Sequence, residues 1–279
     1  MECSYSDLQQ FLFNLDAQNL EYYRREVLTR TVHHRRLDLL TITDPHALNP
    51  MGLQKQIIFI TARVHPGETP SSYMAHGLIS FLVSNHPDAQ LLREYLIFKV
   101  IPMLNPDGVY LGNYRCSALG HDLNRFWLNP ESWAHPTIDA TRKLLLKLKN
   151  GNEGFLDFFI DMHSHSAATN GFMFVNQLGD DKKEDQLLYP KLLDMKAKEF
   201  SFSDTRYCRD PSKLGTGRRV LGELLQVAPH CYTLEVSFFS FTQDMSKHVP
   251  FTQENYLGLG VSVALTFIDY YKLNQKKRR

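Results

Sequence analysis

The run QIIFITA, residues 56–62, is apolar or β-branched at nearly every position and shows no polar alternation. A strand with apolar side chains on both sides must be covered on both faces, which places it in the interior of an α/β sheet. Three more stretches have this character: LIFKVIPML (96–104), FLDFFIDM (155–162) and CYTLEVSFF (231–239). RLDLLTIT (36–43) reads as a further strand, separated from QIIFITA by the turn-rich DPHALNPMG. Helical spacing of apolar residues predicts helices over 5–25 (Leu8, Leu12, Leu15, Leu20) and 70–84 (Met74, Leu78, Phe81, Leu82). Similar patterns cover 136–149, 187–200, 218–228 and 252–272. Strands alternating with helices predict an α/β fold with helices on both faces of the sheet. One domain is expected over residues 1–279, with its core at 5–273 and a basic tail at 274–279.

Bulk properties exclude several classes. A formal net charge of +1 gives no electrostatic case for nucleic acid or a membrane surface as partner. No apolar run reaches the roughly 18 residues of a membrane span, and MECSYSDLQQ lacks the basic and apolar regions of a secretory signal. The four cysteines are scattered without a CxxC pair, which argues against a cysteine zinc site and fits a reducing compartment. The tail QKKRR reads as a solvated terminus, with a nuclear-import signal as the alternative. There is no GxSxG, no HExxH, and GTGRR lacks the spacing of a phosphate-binding loop.

The chemistry-bearing residues fall just past strands. RVHPGETPSS (63–72) follows QIIFITA, and Pro66 and Gly67 force a turn between His65 and Glu68. Thr69 is expected to cap the next helix, with Pro70 at its first position. Catalytic zinc takes three protein ligands and keeps a fourth position open. His65 and Glu68 can supply two of these ligands, and His163 in IDMHSHS, two residues after Asp161, a third. Glu235 lies inside an apolar strand, where a carboxylate is costly unless it is paired or functional. Beside an activated water it suits a general base. Arg115, Asn124 and Arg125 offer donors suited to a carboxylate. His165 reads as a pocket wall or a hydrogen-bonding residue rather than a zinc ligand, and His33, His34, His46, His76, His86 and His248 as structural or solvated.

The ordered set HPGETPSS, NPDGVYLGNYRC, HDLNRFW, DMHSHS, GTGRR and YTLEVSF makes the chain resemble the zinc metallocarboxypeptidases. Within them it is most similar to the cytosolic carboxypeptidases, which shorten polyglutamate tails on tubulin. The resemblance runs from about Tyr5 to about Leu273. It implies a zinc-carboxypeptidase-like domain with a mixed central sheet. It further implies one zinc ion (Zn2+) held by His65, Glu68 and His163, with Glu235 as general base. By the same resemblance Arg115 would stabilise the oxyanion, Asn124 and Arg125 would hold the terminal carboxylate, and Asp122 would orient His65. Preference for glutamate calls for a cation in the specificity pocket, with Arg218 and Arg219 as candidates and Lys213 a weaker one. The competing reading of GTGRR is the start of a helix with solvated arginines. The implied setting is cytosolic, acting as a monomer on glutamylated tubulin or other acidic tails, with microtubule-associated structures and the nucleus as further places.

Two departures from the family pattern stand out. No tyrosine shortly before Glu235 is free to close over a substrate, because Tyr232 lies within the strand. The β-rich domain that precedes the catalytic domain in the cytosolic branch has no counterpart before MECSYSDLQQ. Two other readings stay open: a zinc amidohydrolase of small N-acyl amino acids, whose relatives share the HxxE loop, the DLNR segment and a distant His and Glu, and, from the missing domain, a truncated form that binds acidic tails without cutting them.

Overall fold

The computed structural model describes residues 3–46, 54–151, 153–176, 183–208, 210–244 and 247–276. Eight strands form its main sheet: β1 (Tyr23–Arg30), β2 (Arg36–Ile42), β3 (Gln56–Ala62), β4 (Leu96–Ile101), β5 (Phe155–His165), β6 (Gly171–Val175), β7 (Arg206–Tyr207) and β8 (His230–Ser237). Their order is β1-β2-β4-β3-β5-β8-β6-β7. The central four, β4, β3, β5 and β8, run parallel, while β1, β2 and β6 are antiparallel to their inner neighbours, so the sheet is mixed.

Helices cover both faces, as the two-sided apolar strands require. They are α1 (Tyr5–Asp16), α2 (Thr69–Leu82), α3 (Pro87–Tyr95), α4 (Pro106–Leu111), α5 (Pro136–Asn150), α6 (Lys183–Asp194), α7 (Gly217–Arg219) and α8 (Gln253–Tyr270). On one face Ile58, Ile60, Phe158, Ile160 and Leu234 pack with Met74 and Leu78 of α2 and Leu259 and Phe267 of α8. On the other, Ile57, Phe59, Phe159 and Cys231 pack with Ile138 and Leu145 of α5 and with Val220 and Leu221 after α7. Period-two alternation puts Asp161 and His163 on the same side as Phe159, and Thr233 and Glu235 on the same side as Cys231. The face carrying α5 therefore turns from apolar to polar as β5 and β8 reach their C-terminal ends.

The opposite ends of these two strands carry a second polar group. Asp157 Oδ1 lies 3.0 Å from His230 Nδ1, and the Tyr271 hydroxyl donates to Asp157 Oδ2 at 2.6 Å. The Tyr270 hydroxyl lies 3.1 Å from His230 Nε2, and Phe158 stacks on the imidazole.

Several expectations need correction. The helix predicted over 5–25 ends at Asp16, and the missed β1 follows it. YRREVLTR is an edge strand, and the charges that protect an edge also hide its strand pattern. β5 runs on to His165, paired with β8 as far as Ser237, so His163 lies within the strand. The NPDG segment contains α4, capped by Asn105, whose Oδ1 accepts from the Gly108 amide. GTGRR starts α7, which passes into a π-helical turn over Val220–Leu224 and ends before the predicted 228. The tip of the basic tail, residues 277–279, and most of DPHALNPMG lie outside the described residues.

Candidate active site

β3 ends in Ala62, and the chain turns through residues 63–68 into α2. The turn is held from outside, because the Gly67 amide donates to the Tyr114 carbonyl at 2.7 Å. A Cβ on Gly67 would come 2.7 Å from that same oxygen, so only glycine fits. The expected cap, Thr69, is instead the first helical residue, and Glu68 takes the N-cap position without a side-chain capping bond. Its carboxylate is engaged elsewhere, between two histidines.

His65 Nδ1 lies 2.6 Å from Glu68 Oε1, and His163 Nδ1 lies 3.0 Å from Glu68 Oε2. The Ser164 amide also donates to Oε2 at 3.0 Å. Behind each imidazole stands another carboxylate: Asp122 Oδ1 is 3.0 Å from His65 Nε2, and Asp161 Oδ2 is 2.7 Å from His163 Nε2. Thr61 donates to the other Asp161 oxygen at 2.7 Å. A neutral ring with a carboxylate at Nε2 keeps its proton there and turns the Nδ1 lone pair inward. Two lone pairs then face two carboxylate oxygens, which is repulsive unless positive charge lies among them. The three donor atoms all lie within 4.8 Å of one another. Two imidazoles and a carboxylate, each imidazole backed by a carboxylate, fit zinc by donor type and number.

Without the ion, protons supply that charge. Burial alone would lower the pKa of His65, but the hydrogen bonds to Asp122 and Glu68 raise it. Burial opposes His163 likewise, and Asp161 and then Glu68 override it, raising the ring well above its ordinary value. Burial pushes Glu68 up, while His163 and His65 pull it down to about 2.

Sheet register supplies the next residue. His163 of β5 pairs with Glu235 of β8, so their side chains stand side by side on one face. Burial, opposed by His163 and reinforced by Glu68, raises the Glu235 pKa. Both residues line a cleft of about 330 Å³ with His65, Glu68, Arg115, Asn124 and Arg125.

Asp122 is the hub of a cluster behind His65 and Arg115. Its Oδ2 accepts from Arg115 Nε at 2.9 Å and lies 2.7 Å from Arg115 Nη2. Arg125 Nη1 is 3.7 Å away, and the Asn124 amide donates to Asp122 Oδ1. Burial opposes these partners, yet His65 and the two arginines hold the Asp122 carboxyl below its ordinary range. Asn124 Nδ2 lies 3.2 Å from His163 Nε2, and its Oδ1 accepts from the Gly217 amide at 3.0 Å. Gly215 approaches Arg125 so closely that a Cβ would come 2.3 Å from the Arg125 carbonyl oxygen. The DLNR and GTGRR segments are thus clasped together.

Every residue expected at the site lines the cleft except Asp122, which stands behind His65 and Arg115, and Arg219, which is a correction. Arg219 Nε pairs with Glu223 at 3.1 Å and its Nη1 donates to the Asp210 carbonyl. Consecutive helical residues diverge by about 100°, so Arg218 and Arg219 cannot both face the cleft. Arg218 lines it, but its donors also go to Val175 O, Asn176 Oδ1 and Cys208 O. Lys213, the weaker candidate, lines the cleft with its Nζ 4.2 Å from the Phe174 ring centroid. His165 is in the wall as expected, while Tyr232 is buried, its hydroxyl donating to Gln186 O. The role of Asp161 was missed, although its i, i+2 spacing to His163 was the available signal. Ser164 and Tyr114 were missed as well, since backbone contacts leave no mark in residue type.

Residues 8–176 match the sequence profile of the zinc carboxypeptidase family. The chain is 52% identical over 273 residues to the mouse cytosolic carboxypeptidase 6, covering 97% of this chain and 50% of that protein. It is 39% identical over 272 residues to cytosolic carboxypeptidase 2 of Xenopus tropicalis, covering 96% of this chain and 28% of the relative. The chain therefore spans about half or less of the length of these curated relatives. In three dimensions it is similar to a metallo-carboxypeptidase from Burkholderia cenocepacia, with a TM-score of 0.84 at 24% identity over 97% of this chain and 70% of that one. Fold, profile and similarity over nearly the whole of this chain agree: the chain belongs to the zinc carboxypeptidase family and matches the catalytic domain of its cytosolic carboxypeptidase branch.

Proposed function

We propose that this chain is a carboxypeptidase that removes glutamates from the C-termini of acidic protein tails, such as those of glutamylated tubulin. The observation that carries the reading is a juxtaposition in one cleft. Glu235 stands beside His163 of the His65–Glu68–His163 cluster and shares the cleft with Arg115, Asn124, Arg125, Lys213 and Arg218. His65, Glu68 and His163 would hold one zinc ion, which would supply Lewis acidity and an activated water at neutral pH.

The residues divide the remaining work. Glu235 accepts a proton during attack on the scissile carbonyl and returns it to the leaving amine. Its half-buried setting beside His163 keeps the carboxylate close to the reacting atoms and poorly solvated. Arg115 stabilises the charge that develops on the carbonyl oxygen. Arg125 and Asn124 bind the free α-carboxylate, which limits the reaction to chain ends. Lys213 and Arg218 favour an acidic terminal side chain over a neutral one. Asp122 registers His65 with Arg115, and Asp161 orients His163. The same reading places the chain in the cytosol as a monomer, with no nucleic-acid or membrane partner.

Glutamate release from a synthetic peptide ending in several glutamates tests it, using zinc-loaded chain beside its Glu235→Gln variant. Release that the variant loses by roughly a hundredfold or more supports the peptidase and its base. A folded, zinc-loaded chain that releases nothing would favour the binding reading, and turnover of acyl-aspartate instead would favour the amidohydrolase.

A further inference from the structure

Arg63 is a cation for which the chemistry above has no use. It is 4% exposed, and among the described residues no carboxylate forms an ion pair with it. Its backbone adopts φ of +60°, the left-handed region that disfavours a residue with a Cβ. A buried unpaired guanidinium and a strained backbone both carry a cost, and here they coincide one residue past β3 and two before His65. Strain retained beside a ligand loop is a pointer to function.

The side chain explains the retention. Nε donates to the Pro66 carbonyl at 2.7 Å, and Pro66 lies between His65 and Glu68. Nη1 donates to Ser72 Oγ at 2.7 Å and to the Cys3 carbonyl at 3.2 Å. Nη2 donates to Thr69 Oγ1 at 3.4 Å. One rigid fork therefore grips the loop between the two expected ligands, the helical turn that follows Glu68, and the residue before the cap of α1. Lysine, with a single flexible ammonium, cannot span these positions together.

We propose that Arg63 is a positioning residue for the metal-binding loop, fixing the separation of His65 from Glu68. The inference rests on the metal-site reading above and goes beyond it by assigning the geometry of the cage to a residue outside it. The test compares zinc affinity, by competition with a chromophoric chelator, and the zinc-induced rise in Tm for wild type, Arg63→Met, Arg63→Lys and Arg63→Gly.

Arg63→Met is expected to weaken zinc binding at least about tenfold and to shrink the zinc-induced rise in Tm. Arg63→Lys should recover part of that loss. Arg63→Gly relaxes the backbone yet should lose zinc affinity as Arg63→Met does. Wild-type affinity and an unchanged zinc-induced rise in Arg63→Met, with metal-free and loaded Tm lowered equally, would mean a plain structural plug and overturn the proposal. Wild-type zinc affinity in Arg63→Gly would overturn it too. If these variants do not fold, Ser72→Ala and Thr69→Val each remove one acceptor and should weaken zinc binding by about two- to fivefold, and unchanged zinc binding in both overturns the proposal. A wild-type chain that holds no zinc would overturn both this proposal and the metal-site reading, whereas zinc held equally by wild type and Arg63→Met overturns this one alone.

Discussion

The paired strands β5 and β8 carry an aspartate–histidine pair at each end, and the two ends differ in what meets the second ring nitrogen. At the N-terminal end His230 donates to Asp157 through Nδ1, and its Nε2 accepts from the Tyr270 hydroxyl. Every proton there has a place, and Tyr271 completes the Asp157 carboxylate. At the C-terminal end His163 meets Asp161 through Nε2, but its Nδ1 faces Glu68, which can only accept when ionised. The same pair is a closed latch when its third partner is a hydroxyl and a cation site when its third partner is a carboxylate.

Removing each histidine breaks this comparison most sharply. His163→Ala should weaken zinc binding on the order of 10²–10³-fold, because one of the three proposed ligands is lost. His230→Ala should leave zinc affinity within about twofold and cost about 1.5–3 kcal/mol of stability by removing a hydrogen bond to the buried Asp157 carboxylate. Chelator competition and thermal unfolding on both variants decide the matter, and equal zinc losses would mean that the two ends are not independent.

Protons sharpen the contrast next. Zinc must displace them from His65 and His163, so apparent affinity should rise about tenfold or more per pH unit until pH passes the raised histidine values. In the metal-free chain the sign reverses. The raised histidines contribute stability fully below 6.5, and that contribution is lost as pH climbs through their folded values. Glu68, held at about 2, contributes above 4.5 and loses its share as pH falls toward 2. The metal-free Tm should therefore peak between about 4.5 and 6.5, while that of the zinc-loaded chain peaks higher. Zinc affinity that is flat with pH would remove the proposed competition.

Smaller effects follow. Tyr271→Phe removes one bond to a buried carboxylate and should cost about 1.5–3 kcal/mol in denaturant unfolding with no change in zinc binding. Arg219→Ala should change KM for a glutamate-ending peptide by less than about twofold, since its donors face Glu223 and Asp210 rather than the cleft.

Much of this was legible in the sequence, and the reason is physical. β3, β5 and β8 are buried on both faces, so their apolar runs announce them, and a polar residue near their C-terminal ends has few structural excuses. His65, Glu68, His163 and Glu235 were visible on that ground. β1 was not, because an exposed edge is protected by the charges that conceal its period. β6, only five residues long, offered too short a pattern to separate from a loop. Asp161 and Asp157 look alike along the chain, and only the fold shows that one backs His163 while the other is closed by His230 and Tyr271. The facing of Arg218 against Arg219 depended on where a helix begins, which residue type alone does not resolve.

The sheet order has a consequence for synthesis on the ribosome. β8 is inserted between β5 and β6, although β6 precedes it in the chain. His65, Glu68 and His163 have all been made by the time β6 emerges, whereas Glu235 arrives only with the inserted strand. On the proposed reading, a nascent chain carries all three expected ligands before it holds the expected base, and catalysis would wait for the strand that closes the sheet. Until then β5 and β6 present open edges to the cell, the interval in which this chain is most exposed to mispairing with its neighbours.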